Sequence, residues 1–170
     1  MTRVVIGVDP SVSGSADADE CGIVVASANA QGKTPHAYVL ADWSIKGRPD
    51  DWARRIALAY DYHWADLVVA EANNGGEMIA QTIHSKNPAI PVALVHASRG
   101  KQTRAEPVSA LYEQDRVHHA GTFDILEEQL CTWVPGDKSP DRMDALVWAI
   151  TKLLIGIPRS VGMLAGRKQF

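Results

Sequence analysis

Apolar residues along this chain come in two rhythms. Short, nearly unbroken runs occupy 3–9 (RVVIGVD), 21–27 (CGIVVAS), 36–45 (HAYVLADWSI), 66–71 (DLVVAE) and 91–97 (PVALVHA). Each is strand-length, carries β-branched residues and is bounded by Pro, Gly, Asn, Asp or Ser, which predicts five β-strands. Short polar links, PSVSGSADADE and NAQGKTP, join the first three runs and predict an antiparallel meander.

From Asp50 the period changes. Trp52, Ile56, Ala59, Tyr60 and His63 fall at helical spacing, with Pro49 near the predicted N-terminus. EMIAQTIHSK after the NNGG break, residues 101–114 and residues 123–132 also read as helices, with RVHH as a short extended piece between the last two. The clearest helix is SPDRMDALVWAITKLL (139–154), where Ser139 can N-cap and Pro140 suits the first turn. The predicted order is three antiparallel strands, helix, strand, helix, strand, helices. That is an α/β order of the ribonuclease-H-like kind: a mixed five-stranded sheet, its first three strands antiparallel, flanked by helices. One domain over 1–155 and a loose tail over 156–170 account for the whole chain.

Composition narrows the class. At 170 residues the chain suits one domain with a sizeable core, and its 46% hydrophobic and 22% charged residues are ordinary for a globular protein. No repeat stands out, no apolar stretch is long enough to span a membrane, and residues 1–10 lack the features of a signal peptide. Cys21 and Cys131 have no zinc-site spacing and read as reduced, buried thiols of a cytoplasmic protein. The net charge of −3 gives no global case for nucleic-acid binding, so any such case rests on local patches.

The candidate chemistry is acidic. Asp9 ends the first strand, Glu71 ends the fourth directly after LVVA, and Asp144 lies one turn into an otherwise apolar helix, on a stripe with Val147, Trp148 and Thr151. Placed side by side, the first and fourth strands would bring Asp9 and Glu71 together at their carboxyl ends, where open α/β sheets often hold ligands. The last helix, packed across the sheet, would bring Asp144 to the same place. Three converging carboxylates repel one another, and a divalent cation relieves the conflict; an all-oxygen set favours Mg²⁺ or Mn²⁺ over zinc. Two such ions about 4 Å apart would activate a water and stabilise the leaving oxygen of an in-line phosphoryl displacement. Singly, each acid has an ordinary explanation: a strand-end Asp forms turns, Glu71 could bond loop amides, and Asp144 could favour the helix dipole. Asp141, in the very first turn, fits the dipole better still, and is an additional candidate at the metal. All three on matching elements are harder to explain that way.

Other patterns carry less. SANAQGKT (27–34) nearly matches a P-loop, but Ser27 replaces the first glycine and Pro35 with a strand-like run follows, so it reads as a hairpin turn. DADECG (17–22) opens like an EF-hand loop, yet Cys21 sits at a ligand position and Ala28 at the closing one. It reads as a solvated loop whose Asp17 or Asp19 could at most assist a metal. Arg99, Lys101 and Arg104 cluster in SRGKQTR, either as a DNA-backbone contact or as a solvated helix start. His118 and His119 suit core or surface roles better than DNA or metal. The tryptophans at 43, 52, 64, 133 and 148 fall mostly at core-like spacing.

In sequence, VDPSVSG, CGIVV, DLVVAEANNGG, VHASRGKQTRAEP, LYEQDRVHH and SPDRMDALVWA together resemble the C-terminal nuclease domain of the large terminase subunit of tailed phages and phage-like gene transfer agents. The resemblance runs over roughly 4–154, in the family's order, with SPDRMDALVWA and VVAEANNGG the most specific pieces. It implies a metal-dependent endonuclease of ribonuclease-H-like fold that cuts concatemeric double-stranded viral DNA during packaging in the cytoplasm of a bacterial host, with two Mg²⁺ or Mn²⁺ ions. The family's acidic triad carries over onto Asp9, Glu71 and Asp144. The full family protein adds an N-terminal ATPase domain, absent from these residues, and the small terminase subunit, portal and procapsid are implied as partners of that longer protein only. The alternatives are a junction resolvase or other nuclease of the same fold, an actin-like ATPase, which usually needs a duplicated domain, and a non-catalytic DNA-binding or assembly module, which has no use for three clustered acids.

Overall fold

The computed structural model describes residues 2–10, 20–29, 34–72, 75–97, 100–137 and 140–156. The loop 11–19, the turn 30–33, Ser139 and the tail beyond 156 lie outside the described residues, and with them the expectations placed on Asp17, Asp19, the hairpin turn and the Ser139 cap.

The strand-like runs form a single mixed sheet. Strand β1 (Thr2–Asp9) pairs antiparallel with β2 (Glu20–Asn29), which pairs antiparallel with β3 (His36–Asp42), giving the expected meander. On its other side β1 pairs in parallel with β5 (Leu67–Glu71), which pairs in parallel with β6 (Val92–Val95). Among the described residues the sheet has seven strands rather than five. The third run breaks at Trp43–Ser44, where the Asp42 carboxylate accepts the Ser44 N–H and the Ser44 hydroxyl accepts the Ile23 N–H. The chain resumes as the two-residue β4 (Ile45–Lys46) against the start of β2. The RVHH piece becomes β7 (Val117–His119), a parallel edge strand on β3.

Helices cover both faces. On one, α1 (Pro49–His63) and α2 (Gly76–His84) bury Trp52, Ile56, Ile79 and Ile83 against Ile6, Val8, Ile23 and Val68. Proline at the start of α1 and Asp50 and Asp51 in its first turn suit a helix N-terminus, as the sequence suggests. On the other face, α3 (Lys101–Glu113), α4 (Asp124–Thr132) and α5 (Asp141–Ile150) enclose a second core built on Val24, Ala26, Val39, Leu126 and Leu146. A π-helical turn, Thr151–Ile155, extends α5.

Two burial expectations are corrected. Cys21 is buried, but Cys131, near the end of α4, is exposed. Trp52 and Trp148 are buried, whereas Trp64 is 87% exposed because it ends α1 in a left-handed turn (φ 52°) that throws its side chain off the helical stripe.

Candidate functional site

The site is built where β1, β5 and α5 meet. The parallel register sets Val8 beside Ala70, so Asp9 and Glu71 follow as neighbours at the carboxyl ends of adjacent strands. Side chains alternate between faces, so Asp9 shares a face with Val5 and Gly7, and Glu71 shares one with Val69. Val5 and Val69 pack with Trp148 of α5, which assigns both acids to the face that α5 covers.

Helix α5 lies directly on the sheet because two strand positions lack side chains. A Cβ at Gly7 would stand 2.0 Å from the Ala145 carbonyl oxygen, and one at Gly22 would stand 2.0 Å from that of Asp141. Gly22 is the cross-strand partner of Asp9. The first turn of α5 is thereby seated at the end of β1. Asp141 begins that turn, half-buried, and Asp144 follows it into the interior with 2% of its surface exposed. A carboxylate taken that far from water demands opposite charge or hydrogen-bond donors.

Two donors meet on one oxygen of Glu71. Arg104 of α3 reaches its Oε2 with Nη1 at 2.9 Å, and the Trp148 indole Nε1–H donates to the same oxygen at 2.8 Å. The Arg104 guanidinium also lies over the Trp148 ring, 4.7 Å from its centroid. Both charged side chains are nearly enclosed, 10% and 11% exposed, and the buried Nε of Arg104 has no hydrogen-bond partner among the described residues. Among the described residues, no three His, Cys, Asp or Glu side chains already stand close enough to grip one ion.

A second ion pair fixes the other flank of α5. The Arg142 guanidinium donates to both carboxylate oxygens of Glu20, at 2.8 and 2.6 Å, and to Asp42. Burial works against the guanidinium charge, but the two carboxylates outweigh it and raise its pKa.

The expected basic patch takes a different form. Arg99 lies outside the described residues, and Lys101 opens α3. Arg104 does not join an outward patch, because its guanidinium is spent on Glu71 and Trp148. The histidines serve structure: His118 stacks with Tyr38 and with His36, to which it is also hydrogen-bonded at 3.0 Å, and His119 bridges Tyr112 and Glu127 with hydrogen bonds of 2.8 Å on each ring nitrogen. The bond to His119 and the Phe123 amide lower the Glu127 pKa, whereas burial, helped by the Glu127 charge, pushes the Tyr112 phenol up. A cavity of about 790 Å³ between α3, α4 and α5 is lined by Tyr112, His119 and Glu127 and includes none of the three acids.

Sequence reasoning missed the roles of Trp148 and Arg142. Trp148 shows up only as a member of the Asp144 stripe, and Arg142 is one basic residue between two acids. Their partners lie far away along the chain, so no local pattern announces them.

A mixed sheet with an antiparallel opening meander, two parallel additions beyond its first strand and acids at the strand ends defines an α/β protein of the ribonuclease-H class. The chain belongs to the terminase RNaseH-like domain family, whose model matches residues 6–153. No curated protein matches it in sequence. Among solved structures, the large terminase nuclease from thermophilic phage G20c superposes with a TM-score of 0.62 at 17% identity, covering 89% of this chain and 83% of that one. That protein has also been solved with bound zinc and with bound magnesium. The nuclease domain of the g2p large terminase of bacteriophage SPP1, with bound manganese, gives 0.61 at 11% identity, covering 88% and 86%. RuvC of Thermus thermophilus gives 0.52 at 14% identity, covering 87% and 91%. At these identities the likeness is one of fold.

Proposed function

We propose that this chain is the nuclease domain of a DNA-packaging terminase, a divalent-metal-dependent endonuclease that cuts double-stranded viral DNA by two-metal phosphodiester hydrolysis. The observation that carries the reading is the meeting of Asp9 and Glu71, neighbours at the ends of parallel strands, with α5 and its buried Asp144 on one face of the sheet. Membership of the terminase family and the metal-bound relatives of the same fold support it.

The donor set fits hard divalent cations, being carboxylate oxygen throughout. Asp9, Glu71 and Asp144 would hold two Mg²⁺ or Mn²⁺ ions, with Asp141 as a further candidate. The ions, when bound, supply an activated water and a Lewis acid for the leaving oxygen. Asp9 and Glu71 contribute from a rigid sheet, and Asp144 from a helix whose height is fixed by backbone contact at Gly7 and Gly22. That rigidity keeps the oxygens in place as charge develops on the phosphate. Arg99 and Lys101, in the SRGKQTR segment, would bind the DNA backbone. The longer protein would add an ATPase domain, and through it the small terminase subunit and the portal and procapsid, in the cytoplasm of a bacterial host.

The test is supercoiled plasmid incubated with the protein and Mg²⁺, Mn²⁺ or EDTA, beside Asp9→Ala, Glu71→Ala and Asp144→Ala. Metal-dependent nicking and linearisation, reduced about 10³-fold or more in each variant, is the expected result. Wild-type rates in folded variants would remove the site, and wild-type protein that is folded yet never cuts would favour a DNA-binding module.

A further inference from the structure

Two buried donors converge on a single carboxylate oxygen of Glu71. Its Oε2 accepts from Arg104 at 2.9 Å and from Trp148 at 2.8 Å. The two donors are locked to each other as well, since the guanidinium lies over the indole ring. Trp148 is 5% exposed within α5, and the Arg104 side chain is 10% exposed, so neither donor swings away without opening the core. A cation could take both oxygens of Glu71 only by displacing a charge-assisted bond or the indole donor in a dry environment, where such bonds are strong.

We propose that Arg104 and Trp148 are positioning residues that restrict Glu71 to one-oxygen coordination and thereby bias the site toward Mg²⁺ and against Ca²⁺. The physical basis is the difference between the ions. Ca²⁺ accepts six to eight oxygens and readily takes a carboxylate through both, whereas Mg²⁺ keeps a strict octahedron and takes carboxylates singly. A pinned Oε2 costs Mg²⁺ nothing and denies Ca²⁺ one of its ligands. This assigns Arg104 a task different from the phosphate contact its place in SRGKQTR suggests. The inference rests on the reading of Glu71 as a metal ligand.

The experiment is calorimetric titration of the full 170-residue chain with MgCl₂ and with CaCl₂, without DNA, for wild type, Arg104→Met, Arg104→Lys, Trp148→Phe and Glu71→Gln. Thermal melts of the ion-free proteins establish that each is folded. In Arg104→Met, Ca²⁺ affinity rises about tenfold relative to Mg²⁺ affinity, the scale of one hydrogen bond to a charged group. Arg104→Lys, which restores a cationic donor, returns much of the wild-type ratio, and Trp148→Phe shifts the ratio in the same direction by less. An unchanged ratio overturns the inference. So does an equal tightening of both ions, because the arginine would then act through its charge alone. Should Arg104→Met fail to fold, Trp148→Phe decides by the same ratio. Wild-type protein that binds neither ion, or binding that survives Glu71→Gln, overturns the metal-site reading itself and this inference with it.

Discussion

Replacing Gly7 by alanine tests how closely α5 must sit on the sheet. The added methyl carbon would stand 2.0 Å from the Ala145 carbonyl oxygen and 2.9 Å from the Ala149 amide nitrogen. Both are backbone atoms, so no side chain can turn aside. To reach even 3.0 Å from that oxygen, helix and strand must part by about 1 Å. Every residue of α5 from Met143 to Ile150 is buried, so that separation loosens contacts along the whole helix. We expect a loss of roughly 3 kcal/mol, the upper part of the range for overpacked cores. In urea that lowers the midpoint by about 1–2 M, and in a thermal melt it lowers Tm by about 6–12 °C. Urea unfolding followed by far-UV circular dichroism measures it. Gly100→Ala is the control: a Cβ there meets none of the described residues within 4 Å, and its effect should stay within about 0.5 kcal/mol. A Gly7→Ala protein as stable as that control would refute the claim that backbone contact sets the height of α5.

Arg142→Met leaves Glu20 and Asp42, 17% and 7% exposed, without their shared cation and should cost about 3–5 kcal/mol, read from the same urea titration. His63 accepts the Trp43 indole N–H on Nε2, and burial holds its pKa below the ordinary 6.5. Its contribution to stability is therefore complete above about pH 6.5 and lost as pH falls through the lowered value. Melting temperatures of wild type and His63→Gln should run parallel above that pH and converge below it. Arg99→Ala combined with Lys101→Ala should reduce the salt dependence of DNA binding by about two units of log–log slope, measured by fluorescence anisotropy between low and moderate salt.

Most of the fold was legible because it depends on local rhythm. The meander, the parallel additions, the helix starting at Pro49 and the apolar run after Pro140 all follow from period, length and punctuation. Strand count was the weak point. β4 is two residues long and β7 three, too short for periodicity, and they exist because Glu20, Cys21 and residues 37–39 offer backbone to pair with. The acids could be picked out because each interrupts or ends an apolar element, which is a local contradiction. Arg104 was misplaced for the opposite reason: a basic residue in a polar stretch contradicts nothing, and only the tertiary structure shows it turned inward onto Glu71.

The placement of the acids has a consequence for biogenesis. Asp9 comes from the first described strand of the domain, Glu71 from its middle and Asp144 from its last described α-helix. The helix that closes the arrangement rests on β1 and β2, so the two ends of the domain must meet before the three carboxylates share one face. A nascent or truncated chain that stops short of α5 lacks both the third acid and the Trp148 donor on Glu71. On the function proposed here, ribosome-bound fragments would be unable to cut DNA, and nuclease activity would switch on only once translation has passed α5.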